Sequence, residues 1–161
     1  MGKDKICSFF GHSEIEVTEK LYASTLTEIM KLIDLGCRIF YFGGYGLFDD
    51  LCYQIVTKIK QENPNLSIQR IYCVSQERYL RKKCPYFKRE DYDEVIYLIP
   101  SFEGWYKSIY FRNCAMIDES AVVIFYAEAR ADSGAYKAYQ YARKKKDKTI
   151  INLWKQEEQS E

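Results

Sequence analysis

Short apolar runs alternate along the chain with longer stretches in which apolar residues recur every three or four positions. The runs are typical of buried strands, and the wider spacing is typical of amphipathic helices. The pattern predicts six strands, at 5–10, 37–42, 68–74, 95–99, 121–126 and 149–153. It predicts one helix that ends at about Leu35, a second from Leu47 to Asn63, and a further helix from Gly134 to about Lys145.

Repeated strand-loop-helix units favour right-handed crossovers and a parallel sheet. We therefore expect one α/β domain over residues 1–161, a three-layer Rossmann-like fold with about six mainly parallel strands. Its core spans 5–153, and 154–161 form a polar tail. We expect the first strand to lie beside the fifth, which opens a crevice at the carboxyl ends of the strands, where α/β sheets bind ligands.

Charge and composition narrow the class of partner. The 161 residues include 24 basic and 23 acidic ones, for a net charge of +1. Without a broad positive field, binding to nucleic acid is disfavoured. No apolar stretch is long enough to span a membrane and no signal-like region opens the chain, so we expect a cytoplasmic protein without a membrane partner. The sequence leaves a homo-oligomer open.

Six cysteines are scattered along the chain without a C-x-x-C pair. Several lie in apolar, strand-like runs, where a thiol behaves as a small hydrophobic group. This distribution predicts reduced core cysteines rather than a zinc site. We expect no metal and no cofactor.

Three predicted strands lead into loops that expose backbone amides. These loops are Gly11-His12-Ser13, Gly43-Gly44-Tyr45-Gly46 and Asp132-Ser133-Gly134. Glycine lets a ligand approach the backbone closely, and amides at the start of a helix attract anions. The loops together predict a site for a nucleotide or a related phosphorylated ligand. The glycines of the second loop have a structural alternative, a tight turn, and they lack the G-x-G-x-x-G spacing of a dinucleotide site.

Two side chains in these loops have several interpretations. His12, the chain's only histidine, is a candidate acid or base, a ligand contact, or a residue that stabilises its loop by a hydrogen bond. Ser133, with Gly134, is placed either to cap the following helix or to receive an anion. The neighbouring Asp132 would repel a phosphate, unless it binds ribose hydroxyls instead.

Arg112 and Asn113 lie just before the fifth strand, in what we predict to be a short helix. The planar fork of an arginine binds phosphate through two charge-assisted hydrogen bonds. The alternative is that Arg112 pairs with Asp118 or Glu119 and ties the segment down. Aromatic residues near Arg112 suit base stacking, core packing or a dimer interface. They are Tyr97, Phe102, Trp105, Tyr106, Tyr110 and Phe111.

The basic stretch 78–89 is a candidate solvated loop or, alternatively, an electropositive lid over a phosphorylated ligand. Acidic side chains just before and just after it, Glu77, Glu90, Asp91 and Asp93, partly offset its charge.

Four motifs together point to a known family. They are Phe9-Phe10-Gly11-His12-Ser13, Phe42-Gly43-Gly44-Tyr45-Gly46-Leu47, Arg112-Asn113 with Met116 and Ser120, and Ser133-Gly134. As a set they resemble the SLOG superfamily, which includes the lonely-guy cytokinin-activating phosphoribohydrolases and the Rossmann domain of DNA-processing protein A. The chain is most similar to the small stand-alone SLOG proteins of bacteria and phages. That resemblance implies a nucleotide ligand and adds Asp49, at a Gly-x-Asp-like helix start, to the site.

The resemblance also bears on catalysis. In lonely-guy enzymes an arginine precedes a methionine by four residues, as Arg112 precedes Met116, and a P-G-G-x-G-T-x-x-E motif supplies a catalytic glutamate. With the last glycine of that motif at Gly134, Ala138 stands at the glutamate position. Hydrolysis would thus need another acid. The catalytic candidates are Arg112, Asp118 and Asp132, with Glu128 and Asp49 as further acids.

The sequence therefore predicts a sensor or ligand-binding protein for a nucleotide or a nucleotide-derived small molecule. One alternative is an enzyme that hydrolyses the N-glycosidic bond of nucleoside 5'-monophosphates. Another is a non-catalytic protein-interaction or DNA-processing module. The predicted ligand-binding residues are Gly11, His12, Ser13, Gly43, Gly44, Gly46, Asp49, Arg112, Asn113, Ser133 and Gly134.

Overall fold

A computed structural model describes residues 5–75, 89–99, 105–130 and 132–154, with side chains from Ser108 onward in the third helix. The strands are β1 (Ile6–Gly11), β2 (Ile39–Phe42), β3 (Gln69–Cys73), β4 (Glu94–Ile96), β5 (Val122–Tyr126) and β6 (Thr149–Asn152). The helices are α1 (Glu19–Asp34), α2 (Leu47–Glu62), α3 (Trp105–Glu119) and α4 (Gly134–Arg143). Short 3-10 turns cover Pro64–Leu66 and Arg89–Asp91.

The six strands form one sheet in the order β4-β3-β2-β1-β5-β6, and every neighbouring pair is parallel. The predicted α/β Rossmann-like fold is thereby confirmed. β1 pairs with β5 from Cys7 opposite Val122 to Gly11 opposite Tyr126. The chain builds outward from β1 to β4 and then returns to β5, so the switch in direction falls at the carboxyl end of β1, where such sheets bind ligands.

Helices cover both faces of the sheet because successive strand residues point to opposite sides. Phe9 belongs to a core that includes the buried faces of α1 and α2. Its neighbour Phe10 belongs to a second core, which includes residues of α3 and α4. The three predicted layers are therefore present, and the loops after β1, β2 and β5 each connect a strand to a helix that is anchored in one of the two cores.

The third helix is longer than the short helix predicted around Arg112. It spans 15 residues. Its buried side chains recur with helical spacing, but the first of them are polar, so a search for apolar periodicity does not detect the face. They are Ser108, Arg112, Asn113, Cys114, Met116 and Ile117.

The helix starts differ in their caps. Thr18 caps α1 by accepting a hydrogen bond from the amide of Leu21 at 3.0 Å. Ser133 caps α4 in the same way, accepting from the amide of Tyr136 at 3.2 Å. No side chain caps α2, which begins after Gly46 with φ at 100°. Helices α1 and α4 thus provide a matched pair of capped starts.

Several predictions fall outside the described residues: most of the basic stretch 78–89, the ring of Phe102, the side chains of Trp105 and Tyr106, and nearly all of the polar tail. Within the described ranges, five cysteines are buried and unpaired. No described helix has the length and apolar character needed to cross a membrane. The described part of the chain also holds no group of three or more His, Cys, Asp or Glu side chains suited to a metal ion.

Candidate functional site

The carboxyl edge of the sheet holds a cleft of about 1000 Å³. Segments that are distant in sequence line it: the loops after β1 and β2, one face of α3 and the start of α4. The predicted site residues that line it are Gly11, His12, Ser13, Gly43, Asp49, Arg112, Asn113, Asp132, Ser133 and Gly134. Gly44, Gly46 and Asp118 are not among the described residues that line it.

The glycine turn after β2 is bound to a carboxylate of the chain itself. The amide of Gly43 donates to Oδ1 of Asp49 at 3.1 Å, and the amide of Gly44 donates to Oδ2 at 3.1 Å. Asp49 is the third residue of α2, and its side chain reaches back across the start of the helix. The two amides that the sequence suggested for a phosphate are therefore already bound by a carboxyl group of the protein itself.

Asp49 has an unusual protonation equilibrium. Its side chain is buried at the cleft, and burial raises the pKa of its carboxyl group to about 7, while the Gly43 amide, the Arg112 guanidinium and the Gly44 amide oppose that rise. Desolvation thus outweighs the groups that stabilise the charged form. Near neutral pH this carboxyl group exchanges between its ionised and protonated forms.

Arg112 extends from α3 into the same part of the cleft. Its Nη1 donates to the carbonyl oxygen of Cys73 at 2.7 Å and to that of Gly43 at 3.4 Å. Its Nε donates to Oδ1 of Asn113 at 2.9 Å, so Asn113 fixes the orientation of the guanidinium plane. Among the described residues, none accepts a hydrogen bond from Nη2. The side chain as a whole is buried and lines the cleft, so Nη2 is the donor of Arg112 that remains for a ligand.

The alternative partners of Arg112 are engaged elsewhere. The carboxylate of Asp118 accepts from the hydroxyl of Tyr141, and that of Glu119 accepts from the hydroxyl of Tyr41. The prediction that Arg112 simply ties its segment down through one of these acids does not describe its contacts. Its hydrogen bonds tie α3 to the ends of β2 and β3 instead.

His12 is buried between two fixed partners. Its Nε2 lies 2.8 Å from the amide nitrogen of Glu128, and its Nδ1 lies 3.1 Å from Oγ of Ser133. Burial and the guanidinium of Arg130 lower the pKa of His12 below its ordinary value, and Glu128 opposes them. The imidazole is therefore neutral at neutral pH, and its contacts determine which nitrogen carries the proton.

The tautomer of His12 follows from its amide contact. A backbone N–H only donates, so Nε2 must accept and the proton must lie on Nδ1. Nδ1–H then donates to Oγ of Ser133, which also accepts from the amide of Tyr136. Because Oγ of Ser133 accepts both of these hydrogen bonds, the hydroxyl hydrogen of Ser133 remains available to donate to a group in the cleft. His12 cannot take a proton from Ser133 in this arrangement, so the pair is not a nucleophilic dyad.

The rim of the cleft carries charges of both signs. Arg130 lies 2.6 Å from the carboxylate of Glu128, while Lys137 and the acids Glu14 and Asp132 are exposed. The aromatic rings of Tyr45, Tyr110 and Phe111 are also exposed and line the cleft. Rings with one accessible face at an open cleft are suited to stacking on a planar ligand group.

Only some of the candidate catalytic acids lie at the cleft. Asp118 lies in a separate, shallow depression of about 460 Å³ beside Tyr141. Ala138 is fully buried in the core beneath α4, so the helix presents no acid where the lonely-guy motif would place its glutamate. Of the acids considered from the sequence, Asp49 and Asp132 line the cleft.

Sequence reasoning missed several lining residues and contacts. Lys137 lies one helical turn beyond Gly134, so its spacing was a usable signal, and Arg130 and Glu14 flank predicted loops. The hydrogen bonds from the glycine amides to Asp49 also had a signal in the sequence. Asp49 is an acid in the first turn of a helix that has no capping side chain. The contact of His12 with Glu128 spans 116 residues and had none.

One solved structure similar to this chain is that of DNA processing protein A from Streptococcus pneumoniae. The TM-score is 0.58 at 14% sequence identity, and the match covers 91% of this chain and 49% of that protein. The chain thus spans about half the length of the protein it resembles, and the likeness supports the α/β Rossmann-like fold. The chain matches no protein-family model and no curated protein sequence.

Proposed function

We propose that this protein binds a nucleotide or a nucleotide-derived small ligand in the cleft at the carboxyl edge of its sheet. The observation that carries the proposal is the convergence of Arg112, the β1 loop and the start of α4 on one cavity of about 1000 Å³. A cavity of this size, in which polar and charged groups converge beside aromatic side chains, is large enough for a small molecule such as a nucleotide. The role is recognition of the ligand, as in a sensor or a ligand-binding protein.

The ligand's phosphate is best accommodated at the start of α4. The first amides of a helix lack partners within the helix and carry the positive end of its dipole. Gly134 and Ala135 both line the cleft there, and Ser133 supplies a hydroxyl hydrogen that the neutral His12 leaves available. Lys137 adds a cation one turn further along the helix. The glycine turn after β2 is the poorer phosphate site because Asp49 holds its amides.

Substituting Ser133 tests this placement. Ser133→Ala should lower the free energy of unfolding by about 1 kcal/mol through loss of the cap, and it should weaken nucleoside monophosphate binding by about tenfold through loss of the hydroxyl donor. Calorimetric titration of the purified protein with a panel of nucleoside monophosphates measures the second effect. Thermal unfolding with and without nucleotide measures the first.

Thr18→Ala is the matched control. Thr18 makes the same cap bond at the start of α1, away from the cleft, so this variant should lose similar stability and keep full nucleotide affinity. At a hundred times the dissociation constant, nucleotide should stabilise the unmodified protein and the Thr18 variant by about 2.7 kcal/mol. Equal nucleotide affinities in the two variants would contradict the placement at α4, and no stabilisation by any nucleotide would contradict the proposed function.

A second candidate function is a DNA-processing or protein-interaction module. The similarity to DNA processing protein A favours it, although that likeness concerns the fold and half of the other protein. A near-neutral chain gains little from contacts with phosphate backbones. DNA binding at low salt that competes with nucleotide would favour this candidate over a small-molecule sensor.

N-glycosidic hydrolysis remains the enzymatic alternative. The cleft acids Asp49 and Asp132 are the groups that would have to replace the glutamate absent at Ala138. Assaying free base after incubation with nucleoside monophosphates separates turnover from binding alone. Base release that is lost in Asp49→Asn or Asp132→Asn would establish an enzyme in place of a binding protein.

A further inference from the structure

The floor of the cleft, which we define as Asp49, Arg112 and Gly43, differs in chemistry from the start of α4. Asp49 is held by the two glycine amides, one at each carboxylate oxygen, and each oxygen retains a further lone pair. Arg112 is held by Cys73 and Asn113, and its Nη2 has no acceptor among the described residues. The floor therefore presents a hydrogen-bond acceptor and a hydrogen-bond donor, both in fixed orientations.

The charges at the floor oppose each other. The guanidinium of Arg112 favours the ionised form of Asp49, so the two groups are close enough to interact. A phosphate placed there would be attracted by Arg112 and repelled by the ionised form of Asp49, and it would lose hydration beside these buried side chains. An ammonium group would meet the reverse combination. A neutral group that both donates and accepts a hydrogen bond is repelled by neither.

We propose that this floor recognises a neutral part of the ligand that carries a hydrogen-bond donor beside an acceptor, and that it selects against phosphate. The inference rests on the proposed function, because it places the phosphate of the same nucleotide at the start of α4 and a neutral part of that nucleotide at the floor. Two parts of a nucleotide have this chemistry: the ribose hydroxyls and the polar edge of the base. A site built to bond such a group discriminates strongly against ligands that lack it, because its buried polar groups are then left without partners.

Ligand analogues distinguish the two sources. Adenosine 5'-monophosphate serves as the reference, its 2'-deoxy analogue removes a sugar hydroxyl, and inosine 5'-monophosphate replaces the base's amino group by a carbonyl. Calorimetric titration of the unmodified protein should show about a tenfold or larger loss of affinity for one of the two analogues. Loss with the deoxy analogue assigns the floor to ribose, and loss with the inosine analogue assigns it to the base edge.

Asp49→Asn tests the residue itself. This variant should lose the discrimination seen in the unmodified protein and bind adenosine 5'-monophosphate more weakly, while its affinity for inorganic phosphate should stay the same. Asp50→Asn removes a neighbouring acid that is exposed in the first turn of α2, and it should change none of these affinities. Circular dichroism and thermal unfolding of both variants establish that the comparison is between folded proteins.

Two outcomes would overturn the inference alone. Equal affinity of the unmodified protein for all three nucleotides would mean that the floor recognises neither hydroxyls nor a base edge, even if the Asp49 variant fails to fold. Tighter phosphate or nucleotide binding by Asp49→Asn would mean that the floor is an anion site that Asp49 obstructs. Absence of binding by every nucleotide would instead overturn the proposed function, and the inference with it.

Discussion

Arg112→Ala is expected to reduce nucleotide affinity by about tenfold to a hundredfold, because it removes a charged donor from a buried part of the cleft. It is also expected to lower the free energy of unfolding by about 3 kcal/mol. The carbonyl oxygens of Cys73 and Gly43 lose the hydrogen bonds from Nη1, and Asp49 loses a nearby positive charge while it stays buried. Calorimetric titration and denaturant unfolding measure the two effects separately.

The protonation of Asp49 provides an independent measure of the same substitution. Because Arg112 holds the pKa of Asp49 down, its removal should raise that pKa further above its ordinary value. A carboxyl signal followed by NMR against pH would detect the change. An unchanged pKa in a folded variant would mean that the two side chains do not interact across the floor.

Two other arginine variants complete the test of Arg112. Arg112→Lys keeps the charge but loses the planar guanidinium that donates to both Cys73 and Asn113. Its nucleotide affinity should therefore lie between those of the unmodified protein and Arg112→Ala. Arg143→Ala removes an exposed arginine that lies over the ring of Tyr139 at 5.4 Å, at the opposite end of α4 from the cleft, and should leave nucleotide affinity unchanged. Full nucleotide affinity in a folded Arg112→Ala would remove Arg112 from the site.

The sheet was predictable because its signals are local. Each strand is a short apolar run, and a glycine or a proline lies at or near the end of each of the first two strands and helices, so element type and order follow from the sequence. The parallel order required only that β1 lie beside β5, which the right-handed crossovers favour. Helix α3 was underestimated because its buried face begins with Ser108, Arg112 and Asn113, whose burial depends on what they contact rather than on their polarity.

The components of the candidate site were predictable, but their bonding was not. Most of the predicted residues line one cleft, because the carboxyl ends of parallel strands lie at one edge of a sheet. Which amide bonds to which side chain depends on differences of a few ångströms in position, and the sequence pattern does not specify these. The carboxylate of Asp49 occupies the amides of Gly43 and Gly44, so a glycine turn that suggests a phosphate site from its sequence carries a carboxylate instead.

The glycines show how one residue type can serve different purposes. A Cβ at Gly44 would lie 2.0 Å from the ring of Tyr72, and the residue has φ at +75°. A Cβ at Gly36 would meet nothing within 4 Å, although φ is +99°. A Cβ at Gly134 would also meet nothing within 4 Å, and its φ is not positive. Gly44 therefore combines close packing with a strained backbone, Gly36 has the strained backbone alone, and Gly134 leaves an open approach to the cleft.

Gly44→Ala is accordingly expected to cost about 4 kcal/mol of unfolding free energy, as the sum of a strained backbone and a clash with a fully buried ring. Gly36→Ala, which shares the strain without the clash, should cost about 1–2 kcal/mol. Gly134→Ala should leave stability within about 0.5 kcal/mol. Denaturant unfolding of the three variants provides the comparison. Equal losses for Gly44→Ala and Gly36→Ala would mean that Tyr72 moves aside and that packing does not require the glycine.

The same series also separates stability from binding. Gly134→Ala places a methyl group at the cleft edge of α4, so it should weaken nucleotide binding by about tenfold while the fold stays intact, because a phosphate approaches those amides closely. Gly36 lies at the exposed end of α1, and its variant should keep full nucleotide affinity. If both variants bind nucleotide equally well, Gly134 is glycine for a reason other than ligand approach. The pattern expected here, in which the most stable of the three variants is impaired in binding, follows only if the ligand's phosphate lies at the start of α4.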